Sequence, residues 1–132
     1  DNKINSNGGD GMYSSNVIYG DMEVKGNEIK DNKGQGFYRV DRNQKNVVFE
    51  DNVIESNEGQ GVYFDRIYGN VLIQDNVIKN NYYSGLYMGK NQYEDRSTEI
   101  VIKNNVVSEN KQGNDTREDN GISPSLTSSM NE

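Results

Sequence analysis

The stretch Asn52–Tyr63 reads NVIESNEGQGVY, and the same spacing of residue types returns along the whole chain. Its leading Asn recurs at Asn2, Asn27, Asn76 and Asn105, so the steps between copies are 25, 25, 24 and 29 residues. Two positions after each leading Asn stands an aliphatic residue: Ile4, Ile29, Ile54, Ile78 and Val107. Five positions after it stands a second Asn: Asn7, Asn32, Asn57, Asn81 and Asn110. In the first four copies Gly11, Gly36, Gly61 and Gly85 follow, then an apolar residue, then Tyr13, Tyr38, Tyr63 and Tyr87. Ahead of the leading Asn come paired apolar residues: Met22 and Val24, Val47 and Phe49, Val71 and Ile73, Ile100 and Ile102. Copies in register over this many positions define a structural repeat, the mark of a solenoid.

Within one copy the pattern is three short alternating strands. Residues 71–74, 77–79 and 85–88 are predicted as strands, with bends at Asn76 and Asn81. Strands this short cannot complete a sheet inside one unit. They pair with the equivalent strands of the units above and below, at about 4.8 Å. The predicted fold is therefore all-β: a single-stranded right-handed parallel β-helix of about five coils over residues 1–123, followed by a Ser-rich tail at 124–132. A left-handed β-helix is disfavoured, because its hexapeptide period is missing. Asn at the bends can satisfy backbone groups left unpaired there, and Asn tolerates the left-handed backbone of a sharp bend. Gly at the start of the third strand implies either a positive φ or a crowded corner.

Composition agrees with a thin solenoid. Only 31% of the 132 residues are apolar and the mean hydropathy is -1.00, too little for a wide globular core. Each coil of a solenoid contributes only a few inward side chains. The net charge of -7 disfavours nucleic acid and anionic membranes, and no run of 18 apolar residues is present to insert in a bilayer. With no Cys and no His there is no disulfide framework, no thiolate site and no Ser-His-Asp or Cys-His nucleophile.

The unit N-x-I-x-x-N-x-x-x-G-x-Y resembles the pectate-lyase-like superfamily of right-handed parallel β-helices, which holds polysaccharide lyases, mannuronan epimerases, polygalacturonases, tailspikes and bacterial surface proteins. The resemblance implies a saccharide groove along the Gly-x-Tyr strands and an extracellular or cell-surface location. Asn7-Gly-Gly-Asp10-Gly11 is similar to the Asn-x-Asp of polygalacturonases with one residue added. The His-containing polygalacturonase motif and the Tyr-Gly-Phe-Asp-Pro-His run of the epimerases are missing. A fold alone assigns no activity.

The candidate surface is the outward face of the third strand. If Met12, Phe37, Val62 and Leu86 point inward, then Tyr13, Tyr38, Tyr63 and Tyr87 form an outer column suited to binding a polysaccharide. The alternative is a self-stacked column that stiffens the sheet. Charged residues follow these strands: Arg39, Asp41 and Arg42; Asp65 and Arg66; Lys90. Asp41 and Asp65 stacked together are candidate Ca²⁺ ligands, although no cofactor is required. In a β-elimination or epimerisation, Arg66, Arg42 or Lys90 beside Asp65 and Asp41 are candidate catalytic residues, provided a neighbour lowers the base's pKa. The alternative is a solvated charged rim. An ice-binding face needs ordered Thr, and only Thr98, Thr116 and Thr127 are present.

Three further expectations concern the ends and flanks. The chain starts in mid-coil, which reads as an excerpt of a longer β-helix. Val48, Leu72 and Val101 alternate outward and, with Val53, Val77 and Val106, are expected to form an apolar stripe covered by an oligomer partner or a missing segment. Insertions around 89–98 and 111–119 lengthen two corners that can wall a groove. The rival to a carbohydrate-directed module is the shaft or spacer of an adhesin or tailspike.

Overall fold

The computed structural model describes residues 1–15, 20–40, 46–66, 69–88, 99–111 and 130–131, with backbone only for Arg66, Met130 and Asn131. The first turn is β1 (Lys3–Asn5), β2 (Met12–Ser15) and β3 (Met22–Lys25). The second is β4 (Glu28–Lys30), β5 (Phe37–Val40) and β6 (Val47–Glu50), and the third is β7 (Val53–Glu55), β8 (Val62–Arg66) and β9 (Val71–Gln74). The fourth is β10 (Val77–Lys79), β11 (Leu86–Met88) and β12 (Ile100–Lys103). Beyond it come β13 (Val106–Ser108) and β14 (Met130–Asn131).

Equivalent strands stack in parallel into three sheets, ordered β1-β4-β7-β10-β13, β2-β5-β8-β11 and β3-β6-β9-β12-β14. Among the described residues four turns have all three strands, slightly off the count of about five coils expected, while the all-β parallel solenoid stands as read. Register follows the repeat: Ile29 pairs with Ile54 and Ile54 with Ile78, and Tyr38 pairs with Tyr63 and Tyr63 with Tyr87. β14, inside the Ser-rich stretch, pairs with β12.

The core is one narrow cluster running along the axis. Ile29, Ile54 and Ile78 line one wall, Phe37, Val62 and Leu86 the second, and Phe49, Ile73 and Ile102 the third, all essentially inaccessible to water. All three Phe of the chain are buried, with Phe37 packed 5.0 Å from Phe49 and 5.7 Å from Phe64 between ring centroids. Each such side chain contributes about 1.5–3 kcal/mol on burial. That is how a polar chain holds a core: few residues are spent, and most inward positions are apolar or part of an Asn column.

The Asn columns close two of the corners. Asn27, Asn52 and Asn76, and likewise Asn32, Asn57 and Asn81, point inward and are buried. Asn57 donates its backbone N–H and an Nδ2–H to Asn81 Oδ1, both at 3.0 Å, and Nδ2 also reaches Ile29 O at 3.2 Å. The left-handed backbone expected at these Asn belongs instead to the residue before each: Gly26, Asp51, Asp75 and Asn104 at one corner, Asp31, Ser56 and Asn80 at the next, with φ between 55° and 68°. The turn residue faces solvent, and the Asn after it is left free to stack.

The corner glycines answer to crowding rather than to φ. A Cβ on Gly61 would stand 2.6 Å from Gly85 O and 2.7 Å from Ile78 Cγ2. Gly36 meets the same obstruction from Gly61 O at 2.6 Å.

The outer apolar stripe does not form as one surface. Val48 and Leu72 are half-buried and face outward, but the next outward residues on the same strands are Glu50 and Gln74. Those residues, with Asp51 and Asp75 at the bend, separate Val48 and Leu72 from Val53 and Val77. Lys25 pairs with Glu50 at 3.1 Å and Gln74 donates to Glu50, so a polar column runs between two narrow apolar ones.

Candidate functional site

β2, β5, β8 and β11 turn one side chain in and the next out. Phe37, Val62 and Leu86 go inward, and the four tyrosines go outward as expected. The column is continuous: ring centroids are 5.2 Å apart for Tyr13 and Tyr38, 4.9 Å for Tyr38 and Tyr63, and 4.9 Å for Tyr63 and Tyr87. Tyr63 and Tyr87 lie nearly parallel, with an interplanar angle of 7°, whereas Tyr38 and Tyr63 meet at 63°. Tyr13 ends the described column and is 58% exposed; the other three rings shield one another and are half-buried. Packed aromatics at these spacings attract by about 0.5–1.5 kcal/mol per pair beyond area burial. The column is thus partly self-satisfied.

Carboxylates border it. β5 and β8 slip register after Arg39, so that Val40 pairs with Arg66 and Asp65 is passed over as a bulge. Asp65 faces outward beside Tyr63, with Tyr63 Oη 3.5 Å from Asp65 Oδ1, a long hydrogen bond. Burial, then the Asp65 carboxylate, pushes the Tyr63 phenol up to about 12. Burial also raises Tyr38, followed by the charge of Asp65 and, more weakly, of Tyr13 and Asp10. Both phenols stay protonated at neutral pH and keep an O–H to donate.

Of the residues assigned to chemistry from sequence, Asp65 alone has a described side chain. Asp41, Arg42 and Lys90 lie outside the described residues, as do the insertion at 89–98 and most of that at 111–119; Arg66 is described only as the last residue of β8. A shared Asp41–Asp65 cation site is therefore not built from described atoms, and among the described residues no group of three or more His, Cys, Asp or Glu is gathered to hold a metal.

Arg39 departs from its sequence reading. It was expected on the charged rim, yet it is buried at 3% exposure and donates from Nη1 to Ser14 Oγ at 3.2 Å and Met22 Sδ at 3.0 Å. Strand alternation puts position 39 inward and overrides the usual preference of a guanidinium for water.

Other features escaped the sequence reading. Tyr82 and Tyr83, half-exposed at the fourth-turn corner, meet edge to face at 5.1 Å, with Lys111 Nζ 5.3 Å from the Tyr82 centroid. A further polar column runs at the start of β3, β6, β9 and β12: Asp21 accepts from Asn46 N–H at 2.9 Å, Asn46 from Asn70 N–H at 3.2 Å, and Asn70 from Glu99 N–H at 2.9 Å. Another leads into the tyrosine sheet, where Asp10 accepts from Gln35 N–H at 2.7 Å and Gln35 from Gln60 N–H at 2.6 Å. Their signal was present as polar residues in register just before each strand. An open cavity of about 320 Å³ sits at the β1–β3 end against Asp1, Met12 and Met22, away from the middle of the tyrosine column.

Parallel stacking in three sheets, two inward Asn columns and a core one coil wide define a β-solenoid. The right-handed β-helix region family matches residues 1–132, and the chain belongs to that family. A search of curated proteins finds no match to the chain, and neither does a search of solved structures. No helix among the described residues is long and apolar enough to cross a membrane.

Proposed function

We propose that this β-helix is a carbohydrate-directed module that holds a polysaccharide along Tyr13, Tyr38, Tyr63 and Tyr87. The observation that carries the reading is the continuous outer column, with a ring every 4.9–5.2 Å. That repeat is close to the length of one pyranose. Tyrosine offers an aromatic face to sugar C–H groups and a hydroxyl to sugar hydroxyls, and the raised phenols keep that hydroxyl a donor. A rigid sheet presents the rings already ordered, which lowers the entropy cost of binding. Such a role suits a protein outside the cell or on its surface.

A second reading has its own support. Rings that stack on one another at these distances also stiffen a sheet, and a stiff rod is what a shaft or spacer needs. Catalysis of the lyase or epimerase kind would fall to Arg66, Arg42 or Lys90 with Asp65 and Asp41; the described geometry argues for binding and supplies no base.

Titration separates the first two. The chain has nine Tyr and no Trp, so its intrinsic fluorescence reports on tyrosine. Oligosaccharides of six or more residues are expected to change that signal saturably, and Tyr13→Ala, at the most exposed ring, to weaken the response. Flat titrations of the wild type across neutral, acidic and amino oligosaccharides contradict the binding reading and leave the shaft. Release of unsaturated ends from pectate, alginate or chondroitin would add an enzymatic role.

A further inference from the structure

The tyrosine column also holds side chains placed to react with one another. The chain has no Cys and no Trp, so tyrosine is the side chain that yields a single electron most readily; its Met residues take up an oxygen atom instead. Tyr63 and Tyr87 are in-register partners on β8 and β11. Their ring centroids are 4.9 Å apart and their planes differ by only 7°, and the parallel ladder fixes their backbones about 4.8 Å apart. Two radicals formed on these rings meet by a small swing of the side chains, with the fold intact. Tyr38 is as close to Tyr63, but its ring is turned by 63°, edge against face.

A proton acceptor stands beside the pair. Tyr63 Oη is 3.5 Å from Asp65 Oδ1. Burial, then the Asp65 charge, pushes the Tyr63 phenol up to about 12, so it is protonated at neutral pH and losing an electron means losing the proton as well. Asp65 is within reach to take it.

We propose that Tyr63 and Tyr87 form an oxidative cross-linking site: a haem peroxidase with hydrogen peroxide couples them into an intrachain dityrosine that ties the third turn to the fourth. Each phenol gives one electron to the oxidised haem and one proton to water, the proton of Tyr63 by way of Asp65. The two neutral radicals carry spin on the ring carbons ortho to oxygen, and one Cε–Cε bond forms between them. The two ring C–H protons at the new bond then pass through solvent to the phenol oxygens, which restores both rings. In all, two electrons and two protons leave the pair and reduce one hydrogen peroxide to two waters. The site stands whether or not a saccharide lies on the column.

The test treats dilute protein with a haem peroxidase and hydrogen peroxide, quenches early and digests with trypsin. Dityrosine fluorescence is expected, with the loss of two hydrogens from a chain that still runs as a monomer on a denaturing gel. Tyr63 is the sole tyrosine of tryptic peptide 46–66, and Tyr87 lies in peptide 80–90 beside Tyr82 and Tyr83. These two peptides should emerge joined, with fragmentation placing the bond at Tyr87. Tyr87→Phe should abolish the link, and the double variant Tyr82→Phe/Tyr83→Phe should leave it. Asp65→Asn keeps an accepting oxygen but is a far weaker base, and should slow the link severalfold; circular dichroism of each variant separates lost chemistry from a lost fold. Dityrosine confined to other pairs or to bonds between chains overturns the proposal. So does no dityrosine under conditions that couple free tyrosine, a 46–66/80–90 link that persists in Tyr87→Phe, or an Asp65→Asn rate equal to wild type.

Discussion

Asn52 gives both its backbone N–H and an Nδ2–H to the side-chain oxygen of Asn76, at 2.9 Å and 3.0 Å. Its Nδ2 also reaches Val24 O on the other side at 2.8 Å. One side chain thus ties three successive turns, and Asn32, Asn57, Asn76 and Asn81 repeat the arrangement. A buried bend would otherwise strand backbone groups, each costing about 1–3 kcal/mol.

Substitution along the column therefore has a position-dependent cost. Asn57→Ala removes the acceptor for Asn32 N–H and Nδ2–H, at 3.1 Å and 2.9 Å, and the donor to Ile29 O, all in buried surroundings. It is expected to lower unfolding free energy by about 3 kcal/mol or more. Asn2→Ala, at the exposed end of a column, loses one Nδ2 bond to Asn27 and is expected to cost less than about 1 kcal/mol. Urea unfolding of the two variants checks the contrast; equal costs would mean that the columns contribute no more than a surface contact.

Gly61 and Gly8 make a second pair. A methyl group at Gly61 meets Gly85 O, Ile78 Cγ2 and Asn81 Nδ2, all within 2.8 Å, whereas Gly8 faces nothing within 4 Å. Gly61→Ala should destabilise by about 1–3 kcal/mol through overpacking, and Gly8→Ala by close to nothing. Thermal melts in parallel decide it.

The charged column on the outer face sets a pH dependence. Gln74, then Lys25, hydrogen-bonds the Glu50 carboxylate and holds its pKa below the usual value of 4.5. The hydrogen bond to Glu50 raises Lys25 above 10.5. Stability from Glu50 is present above pH 4.5 and is lost as pH falls through its lowered folded pKa. Stability from Lys25 is present below pH 10.5 and is lost as pH climbs through its raised one. Glu50→Gln should flatten both limbs of a melting-temperature profile, leaving the neutral plateau little changed because the pair is exposed. An unaltered acid limb contradicts the assignment.

Tyr63 provides a spectroscopic mark of the outer column. Its phenol is pushed up to about 12, so absorbance titration near 295 nm should show a late-ionising tyrosine that vanishes in Tyr63→Phe. The unfolded phenol ionises near 10. The protonated form is the one the fold prefers, so Tyr63 stabilises below that value and loses its contribution as pH rises toward 12. A Tyr63→Phe titration identical to wild type would place the late phenol elsewhere.

The period of the sequence carried most of the fold. Ile54, Ile78 and the paired Asn could be put in columns from spacing alone, because stacking turns a step of 24 or 25 residues into vertical neighbours. The conformational details were less legible. Left-handed φ was expected at Asn and occurs at Asp51 and Asp75, because the inward pull on Asn52 and Asn76 reserves those side chains for stacking and shifts the strained position back by one. Gly61 admitted two explanations, and only the carbonyl of the turn beside it selects crowding. Arg39 was assigned by its chemistry to the rim, although the alternation that places Phe37 inward and Tyr38 outward also places residue 39 inward. The tyrosine face was legible for the same reason as the core. An irregularity beside Arg39 and Val40 was legible as a candidate bulge, and the structure has the slip there; that the extra residue is Asp65 on the neighbouring strand was not, since it depends on the pairing of two strands.

Cysteine pairing tests the stacked coils most directly, and the chain has no native Cys to interfere. Glu55 pairs in register with Lys30 on one side and Lys79 on the other, at an expected Cα separation of about 4.8 Å, inside the range a disulfide spans. Under mild oxidation Lys30→Cys/Glu55→Cys and Glu55→Cys/Lys79→Cys should each close an intramolecular bridge, while Glu55→Cys/Val77→Cys, two positions out of register, should close far more slowly. Rapid bridging in the offset pair, or none in the two matched pairs, would contradict parallel stacking and with it every column of side chains described above.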